Sequence, residues 1–386
     1  MRSIPTRLAV KASRSIPLSV QLQLVALSAG RCQFAGCNRY LFAHPLTQHG
    51  ANFSEKAHIR PFSPLGPRGK GRSVKRVHAI ENVMLVCPAD HRLIDKNPMV
   101  YPVDVLRRYK EEHERRILEL TDIGPELRTT VLHVKGTIGG QEVDIPAPEV
   151  RAAIAPRYPA DRTGHVIDLS SFVRESPEFF RLAHENIRRH LRLILSGGID
   201  GPKVQHFSVF ALAPIPVLAA FGRELGDKVT ADLYQRHRDP QSWKWKTNGE
   251  PVEYELRTVR QGSDSVAVGL ILSISGEVTQ ASLPSHIDDR FTLYEIIPKG
   301  MKPNRELVRL REDLLRFRRA YQHALATILK NHNHVRELHL FPAVPAPVAV
   351  ACGQELLPKV HPDLVVYDNV KGAFQPALTL NTGEEL

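Results

Sequence analysis

The feature that most restricts the fold of this chain is an internal repeat. Displaced by 131 residues, Phe210-to-Leu233 overlies Phe341-to-Leu364. Twelve of those 24 positions are identical: Phe210, Pro214, Pro216, Val217, Ala220, Gly222, Glu224, Leu225, Lys228, Val229, Asp232 and Leu233. Each copy reads as an apolar strand, a Pro-x-Pro loop, a small-residue helix ending in Gly-x-Glu-Leu, and a further strand. A strand–loop–helix–strand unit used twice predicts two Rossmann-like α/β halves related by pseudo-symmetry. Open sheets of this kind bind ligands beyond the carboxyl ends of their strands, where both Pro-x-Pro loops would lie. A rigid connection is the plainer account of one such loop. Its occurrence in both copies favours a shared pocket.

The first third is built differently. Between Cys32 and Asp95 stand Cys32-x4-Cys37, Glu55-Lys-Ala-His58-Ile, Asn82 and Cys87-Pro-Ala-Asp90-His91-Arg-Leu-Ile-Asp95. Three of the four cysteines fall in this run, which suits thiolate ligation of zinc rather than a disulfide framework. Cys352 lies in an apolar stretch and reads as an inert core thiol. The net charge of +11 is uneven: residues 1–125 hold 20 Lys+Arg against 10 Asp+Glu, leaving 32 against 31 elsewhere. The first third therefore faces a polyanion, and the balanced remainder argues against a large DNA-reading surface there. From Arg60 to Arg76 six basic residues (Arg60, Arg68, Lys70, Arg72, Lys75, Arg76) and no acid stand among Gly and Pro. A basic loop alone is usually just solvated; placed between the His58 and Asn82 blocks, this one reads as a phosphate contact.

The N-terminus lacks the apolar core of a signal peptide. The most apolar stretch, Val209 to Phe221, is too short for a membrane span and is interrupted by Pro214 and Pro216. A cytoplasmic location without membrane partners is expected. Helices are predicted over Ser19 to Ser28, Asp90 to Lys96 and Val103 to Leu120, the last with Val103, Leu106, Ile117 and Leu120 on its apolar face. Strands are predicted around His58 and over Val83 to Val86. Arg305 to Arg319 reads as a helix with a solvated face. Pro and Gly content from 124 to 162 marks a linker, separating a domain at 1–123 from one at 163–386 whose pseudo-repeats span about 163–300 and 301–386.

The N-terminal blocks resemble the HNH endonuclease family, whose name follows the order His58, Asn82, His91. The repeat, together with Asp232-Leu-Tyr-Gln-Arg236 and Trp243-Lys-Trp245, resembles a SAVED domain, a cyclic-oligonucleotide sensor of two fused CARF-like halves. An HNH module followed by SAVED is similar to the nuclease effectors of bacterial CBASS anti-phage systems. The expected fold is thus α+β: an N-terminal ββα-metal module and a C-terminal α/β SAVED domain. The resemblance implies that a cyclic di- or trinucleotide made upon infection binds SAVED. Binding drives a homo-oligomer from dimer to tetramer or higher, and the HNH domains then degrade double-stranded DNA.

On this reading His58 is the general base, an imidazole titrating near neutrality, and Asn82 orients its ring. His91 and Asp95, four residues apart on one helix face, hold a divalent cation, Mg²⁺ or another. The family often has Asp or His directly before the catalytic His; Ala57 stands there, leaving few protein ligands. Cys32, Cys37 and Cys87 bind the structural zinc with Asp90 as fourth ligand, and the alternative gives that place to His91. A cyclic nucleotide presents phosphates and bases, which call for cations and flat surfaces. Arg236, Arg238, Trp243, Lys244 and Trp245 supply both, with Tyr234, Pro214, Pro216, Pro345 and Pro347 as walls. Two other functions compete: a zinc-stapled DNA-binding protein without cleavage, which Ala57 keeps open, and a constitutive restriction-type nuclease.

Overall fold

The computed structural model describes residues 15–63, 65–69, 76–137, 144–196 and 204–382. It divides into two compact units, Met1–Gly124 and Pro125–Leu386.

The first unit contains α1 (Leu18–Ser28), β1 (Glu55–His58), β2 (Val83–Val86), α2 (Pro88–Lys96) and α3 (Val103–Thr121). β1 and β2 pair antiparallel, with Glu55 opposite Val86 and His58 opposite Val83. Val83, Met84, Leu85 and Val86 are all fully buried and form the centre of a core with Leu24, Leu41, Ile59, Ile94 and Leu106. α2 follows directly because Cys87 caps it and Pro88 occupies its first turn, where the missing N–H is no loss. α3 departs from its expected face: Leu106, Lys110 and His113 are buried whereas Leu120 is exposed. The helix docks from its start to His113, whose Nε2 lies 3.1 Å from the Ser28 carbonyl at the end of α1.

The second unit opens with β3 (Arg128–Lys135), α4 (Ala147–Ile154), β4 (Tyr158–Pro159), β5 (His165–Asp168), α5 (Phe179–Ser196), β6 (His206–Leu212), α6 (Ile215–Leu225) and β7 (Thr230–Tyr234). These strands form a parallel sheet in the order β4-β3-β6-β7, with β5 also on β3. A short hairpin of β8 (His237–Arg238) and β9 (Gln241–Ser242) follows. The second sheet uses β10 (Tyr254–Arg260), β11 (Val268–Ser273), β12 (Thr292–Pro298), β13 (Glu337–Ala343), β14 (Asp363–Val370) and β15 (Ala373–Leu380), with α7 (Arg311–Asn331) and α8 (Ala346–Gln354) between strands. Its order is β10-β12-β11-β13-β14-β15; the four inner strands are parallel and both edges antiparallel.

The repeat is realised as β6–α6–β7 and β13–α8–β14, one copy in each sheet. Its Pro-x-Pro motifs start helices: Pro214 and Pro345 are the N-caps, and Pro216 and Pro347 lie in the first turns. Gly222 and Gly353 occupy the same repeat position, and there α6 and α8 touch backbone to backbone. A Cβ on Gly222 would lie 1.9 Å from the Val350 carbonyl oxygen, and one on Gly353 1.9 Å from that of Ala219.

Two boundaries need correction. The segment 124–162 is not a linker, since β3 is a buried inner strand bonded to β4, β5 and β6. Pro146 and Pro148 start α4, and Pro159 lies in β4. Accordingly the halves divide between 234 and 254 rather than at 300. The helix expected from Arg305 begins at Arg311, because the Asp313 carboxylate accepts hydrogen bonds from the backbone N–H groups of Arg309 and Leu310 and caps it there. No helix among the described residues is long and apolar enough to cross a membrane.

Candidate functional site

In the first unit a turn from Cys32 to Cys37 and the start of α2 bring four donors together. Gly36 takes φ +82 within that turn, which a side chain would resist. Ligand atoms of Cys32, Cys37, Cys87 and Asp90 all lie within 4.8 Å of one another. Asp90 Oδ2 is 3.1 Å from Cys32 Sγ and 3.0 Å from Cys87 Sγ. Backbone N–H groups of Cys87 and Asp90 point at the sulfurs of Cys32 and Cys87, at 3.3 and 3.5 Å. Burial pushes the Cys32 and Cys37 thiols up from their ordinary range. Burial acts the same way on Asp90, yet hydrogen bonds from Cys87, Cys37 and Cys32 outweigh it and hold that carboxyl low. Three sulfurs and one carboxylate oxygen, two of them on buried and two on half-buried residues, suit a four-coordinate structural cation. His91 is outside this cluster.

On the next residue of α2, His91 Nδ1 meets Glu55 Oε2 at 2.6 Å, and its Nε2 lies 3.6 Å from Asp95 Oδ2. Glu55 stood within the motif but was given no role by the sequence. At the end of β1, His58 Nε2 lies 3.1 Å from His78 Nδ1, and His78 stacks on Phe62 at 5.7 Å. Burial, then the neighbouring His78 and His91 rings, hold His58 below the ordinary imidazole range. Asn82 does not orient His58. Its side-chain oxygen accepts from the Arg60 N–H at 2.8 Å, and its amide donates to the Arg60 and Val77 carbonyls at 2.9 Å each. It pins the chain leaving β1 to the turn entering β2. Ala57 is buried in the core beside them.

The basic loop is not uniform. Arg60 and Arg76 are exposed. Arg68 is turned inward and its side chain is 4% exposed, so it is not the phosphate contact expected of it. Lys70, Arg72 and Lys75 lie outside the described residues.

In the second unit a cavity of about 710 Å³ opens at the carboxyl ends of strands from both sheets: Leu212 of β6, Gln235 after β7, Ser275 after β11, and Val344 and Pro345 after β13. Arg236, Arg238, Lys246, Arg305 and Arg309 line it, against Asp144, Asp239 and Glu306. Arg236 is neutralised by Glu149 and stands over the Trp243 ring at 5.8 Å. Arg238, Arg305 and Arg309 have no ion-pair partner among the described residues.

Of the predicted ligand contacts, Arg236, Arg238 and Pro345 line this cavity. The others do not. Trp243 is fully buried and packs edge-on with Phe210, and the buried Tyr234 stacks on that same ring at 4.5 Å, so neither offers a face to a base. Trp245 donates its indole N–H to the Leu233 carbonyl at 3.1 Å. Pro214, Pro216 and Pro347 are buried at helix starts, and Lys244 is exposed away from the cavity wall. Arg305 and Arg309 were missed because a helical reading put them on a solvated face; the loop before α7 places them, still exposed, on the cavity rim.

A model of the SAVED family, "SMODS-associated and fused to various effectors sensor domain", matches residues 187–380. The chain belongs to the SAVED family. Among solved structures it is similar to the Cap4 SAVED/CARF-domain containing receptor of Acinetobacter baumannii, described with the cyclic trinucleotide 2'3'3'-cAAA. Identity is 12% and TM-score 0.46, over 76% of this chain and 62% of that one. The corresponding Moraxella osloensis receptor is similar at 12% identity and TM-score 0.39, over 75% and 60%. The chain thus spans about three fifths of the length of these receptors. No curated protein matches it.

Proposed function

We propose that this protein is a cyclic-oligonucleotide-activated, metal-dependent endonuclease that degrades double-stranded DNA in anti-phage defence. The observation that carries the reading is the cation-lined cavity shared by the two halves of a sensor-family unit. Its size suits a small cyclic di- or trinucleotide, and Arg238, Arg305 and Arg309 are the groups we assign to its phosphates. Arg309→Ala is expected to weaken binding of an activating cyclic nucleotide about 10- to 100-fold, the worth of one charge-assisted hydrogen bond. Trp243→Ala acts instead by emptying a core position, lowering the melting temperature of the sensor unit. Calorimetric titration beside thermal melting separates these effects; undiminished binding by Arg309→Ala removes it from the site.

In the first unit we assign zinc to Cys32, Cys37, Cys87 and Asp90, whose donor set fits that ion. His91 Nε2 and Asp95 Oδ2 would hold a divalent cation such as Mg²⁺, which supplies charge stabilisation to a scissile phosphate when bound. His58 takes the proton of the attacking water. Its depressed basicity keeps it unprotonated at neutral pH, so activity rises with pH through a value below the ordinary histidine range and then levels. His58→Ala should reduce cleavage about 10²- to 10⁴-fold, with zinc content and nucleotide binding unchanged. Plasmid degradation by His58→Ala at the wild-type rate would refute the assignment.

A duplex requires two cuts, and a nuclease toxic to its host requires an off state. Assembly from dimer to tetramer or higher on ligand binding meets both needs, provided the ligand prefers the assembled form. Mass photometry and plasmid degradation, run over one titration with synthetic cyclic di- and trinucleotides, test this. Cleavage without any activator would favour a constitutive nuclease. DNA binding without cleavage under every condition would favour a zinc-stapled binding protein.

A further inference from the structure

Arg68 sits in the basic loop after β1, yet it spends its charge inside the protein. Nε donates to the Ile59 carbonyl at 3.1 Å and Nη1 to the Ile94 carbonyl at 2.9 Å. Nη2 donates to Asp95 Oδ1 at 3.0 Å and reaches the His58 carbonyl at 3.4 Å. Four of the five N–H groups of the guanidinium are thereby used. Two acceptors lie at the end of β1, which carries His58; the other two lie in the last turn of α2, which carries His91. A planar fork of fixed geometry therefore braces the segments that hold the two histidines. The Arg68 backbone takes φ +70, uncommon for a residue other than glycine, and these bonds hold it there.

The brace also selects atoms. With Oδ1 engaged by Arg68, Asp95 presents Oδ2 to His91. With Nδ1 engaged by Glu55, His91 presents Nε2 to Asp95. The two remaining donor atoms stand 3.6 Å apart, close enough that both would reach one cation. We infer that Arg68 is a positioning residue that aims Asp95 and His91 at a divalent cation, and that it is not a contact to DNA phosphate. The inference rests on the nuclease reading above.

The test uses the full chain with its zinc, and Mn²⁺ as probe, since Mn²⁺ favours the same oxygen and nitrogen donors and its free form is counted by paramagnetic resonance. Arg68→Lys keeps the charge and loses the fork; it is expected to weaken Mn²⁺ binding about tenfold or more, as loss of an outer-shell partner does. Arg68→Ala should lose at least as much, with partial recovery on adding guanidinium ion. Zinc content stays unchanged, as do DNA affinity without divalent cation and its salt dependence. If Arg68→Ala fails to fold, Arg68→Lys decides. Unaltered Mn²⁺ affinity in Arg68→Lys overturns the inference, as does a wild-type protein that binds no Mn²⁺. A salt slope reduced by about one with Mn²⁺ binding intact overturns it too, and makes Arg68 a phosphate contact. Wild-type protein whose Mn²⁺ affinity depends on Arg68 but which never cuts DNA would sink the nuclease reading and leave the brace standing.

Discussion

Stripping the zinc we assign to Cys32, Cys37, Cys87 and Asp90 is expected to unfold residues Met1–Gly124 and leave Pro125–Leu386 folded. The first unit has a small core, and two of its buried members, Cys32 and Cys87, are themselves proposed ligands. Without a cation, a carboxylate held low in pKa stands among thiols that burial keeps protonated. That arrangement ties the Cys32–Cys37 turn to the start of α2 through weak S–H donors and one long N–H···S contact. With zinc bound, three thiolates and Asp90 would close one coordination shell linking the turn, β2 and α2. Structural zinc supplies an apparent free energy of about 10–16 kcal/mol in small zinc-finger peptides, comparable to the whole stability of an ordinary domain at about 5–15 kcal/mol. Cys32→Ser and Cys87→Ser should behave alike. Metal retention should fail as pH falls, because protons compete for the thiolates. Scanning calorimetry with and without a strong chelator reads the result: one transition should vanish and the other persist. A chelator that removes zinc yet leaves both transitions in place would show that the metal does not hold this fold.

Gly222→Val is expected to abolish folding of the second unit. At the crossing of α6 and α8 the atoms met by an added Cβ are backbone: the Val350 carbonyl oxygen at 1.9 Å, its carbon at 2.9 Å and the Gln354 nitrogen at 3.1 Å. A side chain can rotate away, but a helix backbone inside its own hydrogen-bond ladder cannot. Overpacking a core commonly costs about 1–3 kcal/mol, occasionally more. Here the helices must separate along a contact that joins both halves, so even Gly222→Ala should reach about 3 kcal/mol or more. Gly353→Ala should match it, because the same close approach is met from the other helix. Gly276→Ala is the control: nothing lies within 4 Å of its Cβ, and a change within about 0.5 kcal/mol is expected. Urea unfolding of the three alanine variants decides it. Equal midpoints for Gly222→Ala and Gly276→Ala would mean that the helices cross less closely than described.

Side-chain partners explain where sequence reasoning failed at the sites. Trp243 and Tyr234 carry the chemistry of base stacking, but both pack on Phe210 in the interior. An aromatic residue looks the same in sequence whether its face meets a base or another ring. Arg68 was indistinguishable from five neighbouring cations until its donors were seen to end on Ile59, Ile94 and Asp95. Asn82 was assigned to the His58 ring by its place in a motif, and it serves the backbone of Arg60 and Val77 instead. Glu55 and His78 are 36 and 20 residues from the side chains they meet, so no local spacing announces them.

By itself the sequence determined the features that depend on order along the chain. The repeat from Phe210 and from Phe341 demanded two α/β copies, because the same strand, helix-starting Pro-x-Pro and close-packing Gly recur at one offset. The spacing of Cys32, Cys37, Cys87 and Asp90 marked four donors that do converge. Tertiary structure alone decided what depends on proximity: that β3 completes a sheet rather than linking domains, that Arg305 and Arg309 line the cavity beside Arg238, and that Arg68 faces inward. The physical reason is that helix and strand periods are written in neighbouring residues. Burial and pairing of a charge are set by whichever distant segment folds against it, and that segment is chosen by the energy of the whole core.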